Sequence, residues 1–280
     1  MMLMILGIPV GYNVYIGFTD ASAFTGLMNP TWVGLDNYRW VYSDPFFWDS
    51  VRRTMSWTVS NLVLQVAFGM FLALILHELP MAWSRILQPL WLIPWVLPAV
   101  SVFYVWRLYF NPLIGPIQRM AERIGIVDSS ILADPDLAMW GIVAASVWKG
   151  FPFYMVVFYS ALQAVPQELY DAARVDGANR VRVFWTVERP AIIMVAIPAS
   201  ILGFVWIFNA FTPIFAMTEG GPGSATTTVG LYIYFEALRG FRYNTAAAAA
   251  TGLIMIVVAF FVIYQLTSWW FERSSRREAT

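Results

Sequence analysis

Long apolar runs alternate with short polar stretches along this chain. A helix needs about 20 apolar residues to cross the hydrocarbon core of a bilayer. Windows at 1–19, 57–76, 86–106, 137–163, 191–217 and 245–271 meet that length, and only the fourth holds a charge, Lys149. The pattern predicts an all-α polytopic membrane protein. It is one transmembrane domain over residues 1–280, with six membrane helices and a polar loop at 164–190 between spans four and five. The first window lacks the basic start of a signal peptide and reads as a span.

An even number of spans puts both chain ends on one side. The C-terminal side carries Arg85, Arg174, Arg180, Arg182, Arg189, Arg273, Arg276 and Arg277. The other carries Arg39, Arg52, Arg53, Arg119, Arg123, Arg239 and Arg242. The first set sits in shorter loops, so the positive-inside rule favours a cytoplasmic C-terminus. On the opposite side, 33–54 alternates aromatics with charges, as an interfacial segment does. A Gly-rich turn follows at 218–228. The alanines at 246–250 suit close helix packing.

Composition narrows the chemistry. Hydrophobic residues make up 59% and charged residues 12% of the 280, with zero net charge, so no basic surface points to nucleic acid. Cys is absent and His77 is the only histidine, which excludes disulfides, thiolate chemistry and a multi-histidine metal site. No metal site and no cofactor bound by this chain are expected. Lys149 is the only lysine and lies outside any GxxxxGK[ST] pattern, so the chain has no Walker A loop.

The polar island DAARVDGANRVRVFWTVERP at 171–190 stands out against these runs. Pro166 suits a helix start, and Glu168 and Asp171 complement the helix dipole there. Gly177 falls where a helix end favours positive φ, and Asn179 suits the cap of a second short helix. Val181, Phe184 and Trp185 form that helix's apolar face, and Pro190 closes the unit before the fifth span. Such a loop is either an interfacial tether or a docking element for a soluble partner.

The island resembles the cytoplasmic loop of the permeases of binding-protein-dependent ABC importers: EAA, three residues, Gly, nine residues, I-x-L-P. Here Asp171-Ala172-Ala173 precedes Gly177, and Val187-Glu188-Arg189-Pro190 ends the pattern. Asp171 replaces Glu, Val187 replaces Ile, and Arg189 stands where the family is apolar. VGLDNY at 33–38, LIPWVLP at 92–98, VWKGFPF at 147–153, LQAVPQELYDAARVDGA at 162–178, FNAF at 208–211 and TEGGP at 218–222 resemble the maltose-type sugar permeases in the same order.

The resemblance implies a permease subunit of an ATP-driven carbohydrate importer, not an enzyme, in a bacterial or archaeal cytoplasmic membrane. Its implied partners are a second homologous permease, two ATP-binding subunits that hold ATP and magnesium, an extracytoplasmic substrate-binding protein and the lipid bilayer. The implied ATPase-coupling residues are Glu168, Asp171, Ala172, Ala173, Asp176, Gly177 and Pro190. The implied substrate pathway runs along Trp95, Ala99, Ser146, Lys149, Gly150, Phe153, Gly203, Trp206, Ile207 and Asn209. These sit beside Pro94, Pro98, Pro152, Pro198 and Pro213, and broken membrane helices are where transporters place their sites. Lys149, a charge at membrane depth, points either to a cavity or to a buried partner.

Two other readings stay open. A glycerol-phosphate or polyol importer belongs to the same class. A self-contained carrier or channel belongs to another. Ion coupling in a carrier needs intramembrane carboxylates, and no window contains Asp or Glu. The lack of Cys and the single His leave few catalytic groups for a membrane-embedded enzyme.

Overall fold

The computed structural model describes residues 2–27, 30–127 and 129–278, with side chains omitted at 2–4, 6, 260 and 263–278. The side chains of Arg273, Arg276 and Arg277, used above for orientation, lie outside the described residues. The chain divides into two compact units, residues 1–52 with 228–280, and residues 53–227.

In the first unit the helix Met2–Ile16 packs on Tyr243–Glu278, and so does the short helix Asp36–Ser43. Ala246, Ala247, Ala248 and Ala249 are buried, and small side chains let helix backbones approach. Asn13 Nδ2 donates to the Ala247 carbonyl at 3.3 Å across this contact. Tyr38, Val41, Phe47 and Tyr232 form an aromatic core beside the same helix.

The second unit is built around Ala138–Gln163, against which Met81–Val96 and Arg180–Phe208 pack. Its core joins Leu72, Ala73 and Leu76 to Tyr154, Met155, Phe158 and Leu162, with Ile192 and Ala199. Pro152 and Pro198 lie inside continuous helices. Neighbouring helices can re-satisfy the backbone groups such prolines free.

Several sequence boundaries need correction. Among the described residues, three helices are long and apolar enough to cross a membrane, or four if one bent pair counts as a span. The first helix is described over Met2–Ile16 and ends at Ile16; Thr19 instead bridges to Trp32. The third window is that bent pair: Met81–Val96 and Ala99–Tyr109 meet at 93°. The cause is local, because a residue before proline avoids helical backbone. Leu97, before Pro98, is extended at φ −62 and ψ 143.

The fifth window begins too late and ends too late. Its helix runs from Arg180 to Phe208, and Thr212–Thr218 is a separate helix. Pro190 therefore does not close the polar unit. It lies inside the long helix, directly after a wide turn at Phe184–Glu188 in which the Arg189 N–H reaches the Phe184 carbonyl. That i→i−5 turn relieves the clash a proline imposes on the preceding turn. Finally, 33–54 is not one interfacial segment, because the helix Pro45–Glu78 takes up its second half.

Candidate functional site

The second unit holds an open cavity of about 480 Å³. Trp95 and Ala99 reach it from either side of the Leu97–Pro98 break. Ser146, Lys149, Gly150 and Phe153 come from the Ala138–Gln163 helix. Gly203, Trp206, Ile207 and Asn209 come from the end of Arg180–Phe208. All ten pathway positions thus line one space, where two helix breaks meet an intact helix.

The walls are aromatic. The Phe153 ring lies 5.3 Å from Trp206 and 6.4 Å from Trp95, centroid to centroid. The latter pair is stacked, and both tryptophans are about half exposed. Glycines bring the helices close. A Cβ on Gly203 would fall 1.7 Å from Tyr154 Oη, and one on Gly150 would fall 2.2 Å from Gln65 Oε1. Trp57 Nε1 donates to the Ile207 carbonyl at 2.9 Å and pins the end of the fifth-window helix.

Lys149 lines the cavity and at the same time meets backbone. Its Nζ donates to the carbonyls of Leu97 at 2.8 Å and of Pro94 and Trp95, each at 3.3 Å. The Pro94 and Trp95 carbonyls belong to the last turn of Met81–Val96 and the Leu97 carbonyl to its cap, where the break leaves acceptors without intrahelical donors. A cation there also suits the negative end of the helix dipole. The ammonium borders the cavity, and its protons go to backbone.

Sequence reasoning missed Gln65, Phe103, Tyr154 and the 210–213 stretch, which also line the cavity. Gln65 carried a signal, because it is a buried amide in an otherwise oily window and its Nε2 donates to the Ser146 carbonyl at 3.3 Å. Tyr154 carried none. Its hydroxyl is buried against Gly203 and has no hydrogen-bond partner among the described residues.

The polar island forms a second cluster. Gln167–Val175 is a helix with Pro166 at its cap and Glu168 in its first turn. Gly177 takes φ +69 with nothing within 4 Å of a Cβ, and the Ala178 N–H returns to the Ala173 carbonyl at 2.9 Å. This is the left-handed helix stop that glycine favours. Asn179 Oδ1 accepts from the Arg182 N–H at 2.9 Å, capping the next helix. Glu168, Asp171, Ala172, Asp176 and Gly177 are exposed, Ala173 is half-buried, and Pro190 is exposed farther along. Asp171 accepts from Arg174 Nη1 at 3.0 Å within its own helix. Burial of the Tyr170 ring behind this helix pushes its hydroxyl pKa up. At the departure from the family pattern, Arg189 lies 4.9 Å over the Trp185 ring.

Among the described residues, no group of three His, Asp or Glu side chains lies together as metal ligands do. The trehalose/maltose transport system permease protein MalF of Thermococcus litoralis is 35% identical over 72% of this chain and 68% of its own length. The sn-glycerol-3-phosphate transport system permease protein UgpA of Escherichia coli is 33% identical over 86% and 80%. In fold, the chain is similar to a bacterial alginate ABC transporter in complex with alginate pentasaccharide-bound periplasmic protein. The TM-score is 0.80 at 20% identity, covering 94% of this chain and 88% of that one. Residues 65–278 match the inner membrane components of binding-protein-dependent transport systems, and the chain belongs to that family, as a membrane permease rather than an enzyme.

Proposed function

We propose that this chain is one permease subunit of an ATP-driven carbohydrate importer and forms half of the pathway by alternating access. The observation that carries the reading is the cavity of about 480 Å³ with Trp95, Phe153 and Trp206 on its walls. Aromatic faces pack on the C–H faces of sugars, while Gln65, Ser146 and Asn209 offer polar groups to hydroxyls. Six spans, with the C-terminus and the 164–190 loop in the cytoplasm, complete the arrangement. The exposed row Glu168, Asp171, Ala172, Asp176 and Gly177 docks on a partner ATPase, which holds ATP and magnesium. A second homologous permease and an extracytoplasmic binding protein complete the complex.

Glycerol phosphate is the second reading, and the 33% identity to UgpA favours it. The bond set of Lys149 weighs against it, because this cation at the cavity's edge already donates to three carbonyls. Extraction of the tagged chain in mild detergent, followed by mass spectrometry, tests the assembly. An ATPase and a second permease are expected to accompany it. Vesicle uptake of labelled trehalose, maltose and sn-glycerol-3-phosphate tests the solute, with Trp206→Ala expected to depress sugar uptake. Uptake of glycerol phosphate alone selects the second reading. A chain that emerges as a homo-oligomer without an ATPase returns the protein to the carrier or channel class.

A further inference from the structure

Behind the exposed coupling helix lies an ion-pair cluster that the pathway and the docking row do not use. Arg180 opens the helix Arg180–Phe208, and Glu78 closes the helix Pro45–Glu78. Arg180 Nε donates to Glu78 Oε1, and Arg180 Nη1 donates to Glu188 Oε2 at 2.7 Å. The Glu188 side chain is only 2% exposed, against 46% for Arg180 and 58% for Glu78.

Neither helix terminus favours its own charge. A cation opposes the dipole at a helix N-terminus, and an anion opposes it at a C-terminus. Arg180 and Glu78 occupy those two unfavourable places, so the contact between them accounts for both. One planar guanidinium bonds two carboxylates in separate directions, which the point charge of a lysine does less well. Glu188 sits inside the wide turn at Phe184–Glu188, so Arg180 also braces the segment that leads into Pro190. The coupling helix Gln167–Val175 ends five residues before Arg180, joined through Gly177 and the Asn179 cap.

We infer that Arg180 is a positioning residue that ties the N-terminal end of Arg180–Phe208, into which the 167–177 segment runs directly, to the C-terminal end of Pro45–Glu78, so that a displacement of that segment moves both helix ends together. The inference rests on the importer reading above. Glu188 and Arg189 replace the unspecified and apolar positions of the family pattern, and the clamp gives Glu188 its function here. The Glu78 arm is the partly exposed one and transmits motion between helices. The Glu188 arm is buried and fixes the guanidinium in place.

The test uses the whole transporter, with its partner chains, in proteoliposomes. It reads solute moved per ATP hydrolysed and the amount of ATPase retained on the tagged chain. Glu78→Gln removes one arm and leaves Glu188 paired. Arg180→Lys keeps a cation beside Glu188 and loses the fork, so both variants are built to fold. Each is expected to lower the solute-to-ATP ratio about fivefold, the upper range for a partly exposed pair. The double variant is expected to fall no further, since both changes break the same contact. ATPase retention is expected to stay at the level of the unaltered chain. An unchanged ratio in both single variants, or additive losses in the double, overturns the clamp while leaving the importer intact. Loss of the ATPase from either variant also overturns it, because Arg180 would then belong to the docking contact. An unaltered complex that moves no solute with ATP overturns both readings.

Discussion

The cavity end and the coupling end of the second unit each place a cation at a helix terminus, and they do so in opposite ways. Lys149 lies beside the C-terminal end of Met81–Val96 and, among the described residues, donates to backbone carbonyls. Arg180 lies at the N-terminal end of its own helix and, among the described residues, donates to carboxylates. The first cation is favoured by the dipole it meets, and the second is opposed by it. Lys149 thus repairs a break in one span, whereas Arg180 answers to the charges around it. The difference teaches that a charge at membrane depth and a charge at the loop have to be judged by their partners rather than by their positions.

Removing each cation separates the two cases. Arg180→Ala leaves the buried Glu188 carboxylate uncompensated, and breaking such a pair costs about 3–5 kcal/mol. The variant is expected to show the largest drop in thermal stability of the purified complex, measured by size-exclusion survival after heating. Glu188→Gln added to it is expected to restore most of the loss, because the remaining amide is neutral. If the double variant melts as low as the single, Glu188 is not the group that needs Arg180, and the contrast with Lys149 collapses.

Lys149→Met comes next. It strips a donor from three carbonyls, only that of Pro94 being part-buried, so the cost is expected at the low end of the range for an unsatisfied acceptor, about 1 kcal/mol. Because the ammonium is engaged by backbone, maximal uptake is expected to fall while the half-saturating solute concentration holds. Vesicle uptake over a range of solute concentrations reads both. A rise of about tenfold in half-saturation, worth about 1.4 kcal/mol of binding, would mean that Lys149 reads the solute itself.

The two ends were unequally legible in the sequence. Gly177 and Asn179 follow local rules of helix stop and start, and both take the backbone roles those rules assign. The apolar runs showed where the long helices are, but a hydropathy window has no direction. It could not separate a straight span from the 93° bend at Leu97–Pro98. It also treated Pro190 as a boundary, because a single wide turn that absorbs a proline leaves no signature in composition. The ten positions that line the cavity were named through resemblance to a family. Periodicity alone would not have gathered Trp95, Lys149 and Trp206 around one space. The Glu78–Arg180 pair joins residues 102 apart, beyond the reach of any local pattern.

The smallest effect is expected at Gly177, and it sharpens the comparison by pairing that residue with Gly203. A Cβ on Gly203 meets Tyr154 Oη at 1.7 Å, so that glycine is required by volume. A Cβ on Gly177 meets nothing within 4 Å, so only its φ of +69 requires glycine. Gly177→Ala is therefore expected to cost about 1 kcal/mol through backbone strain and to keep the ATPase bound. Gly177→Trp adds bulk that points into open space in this chain, so its intrinsic cost should match that of alanine. Any further loss on tryptophan has to come from a partner surface pressed against the bend. Quantifying the ATPase retained on the two variants at equal thermal stability decides the matter. Depletion with Trp and retention with Ala marks the bend as a docking surface; equal retention makes the island a tether between two spans.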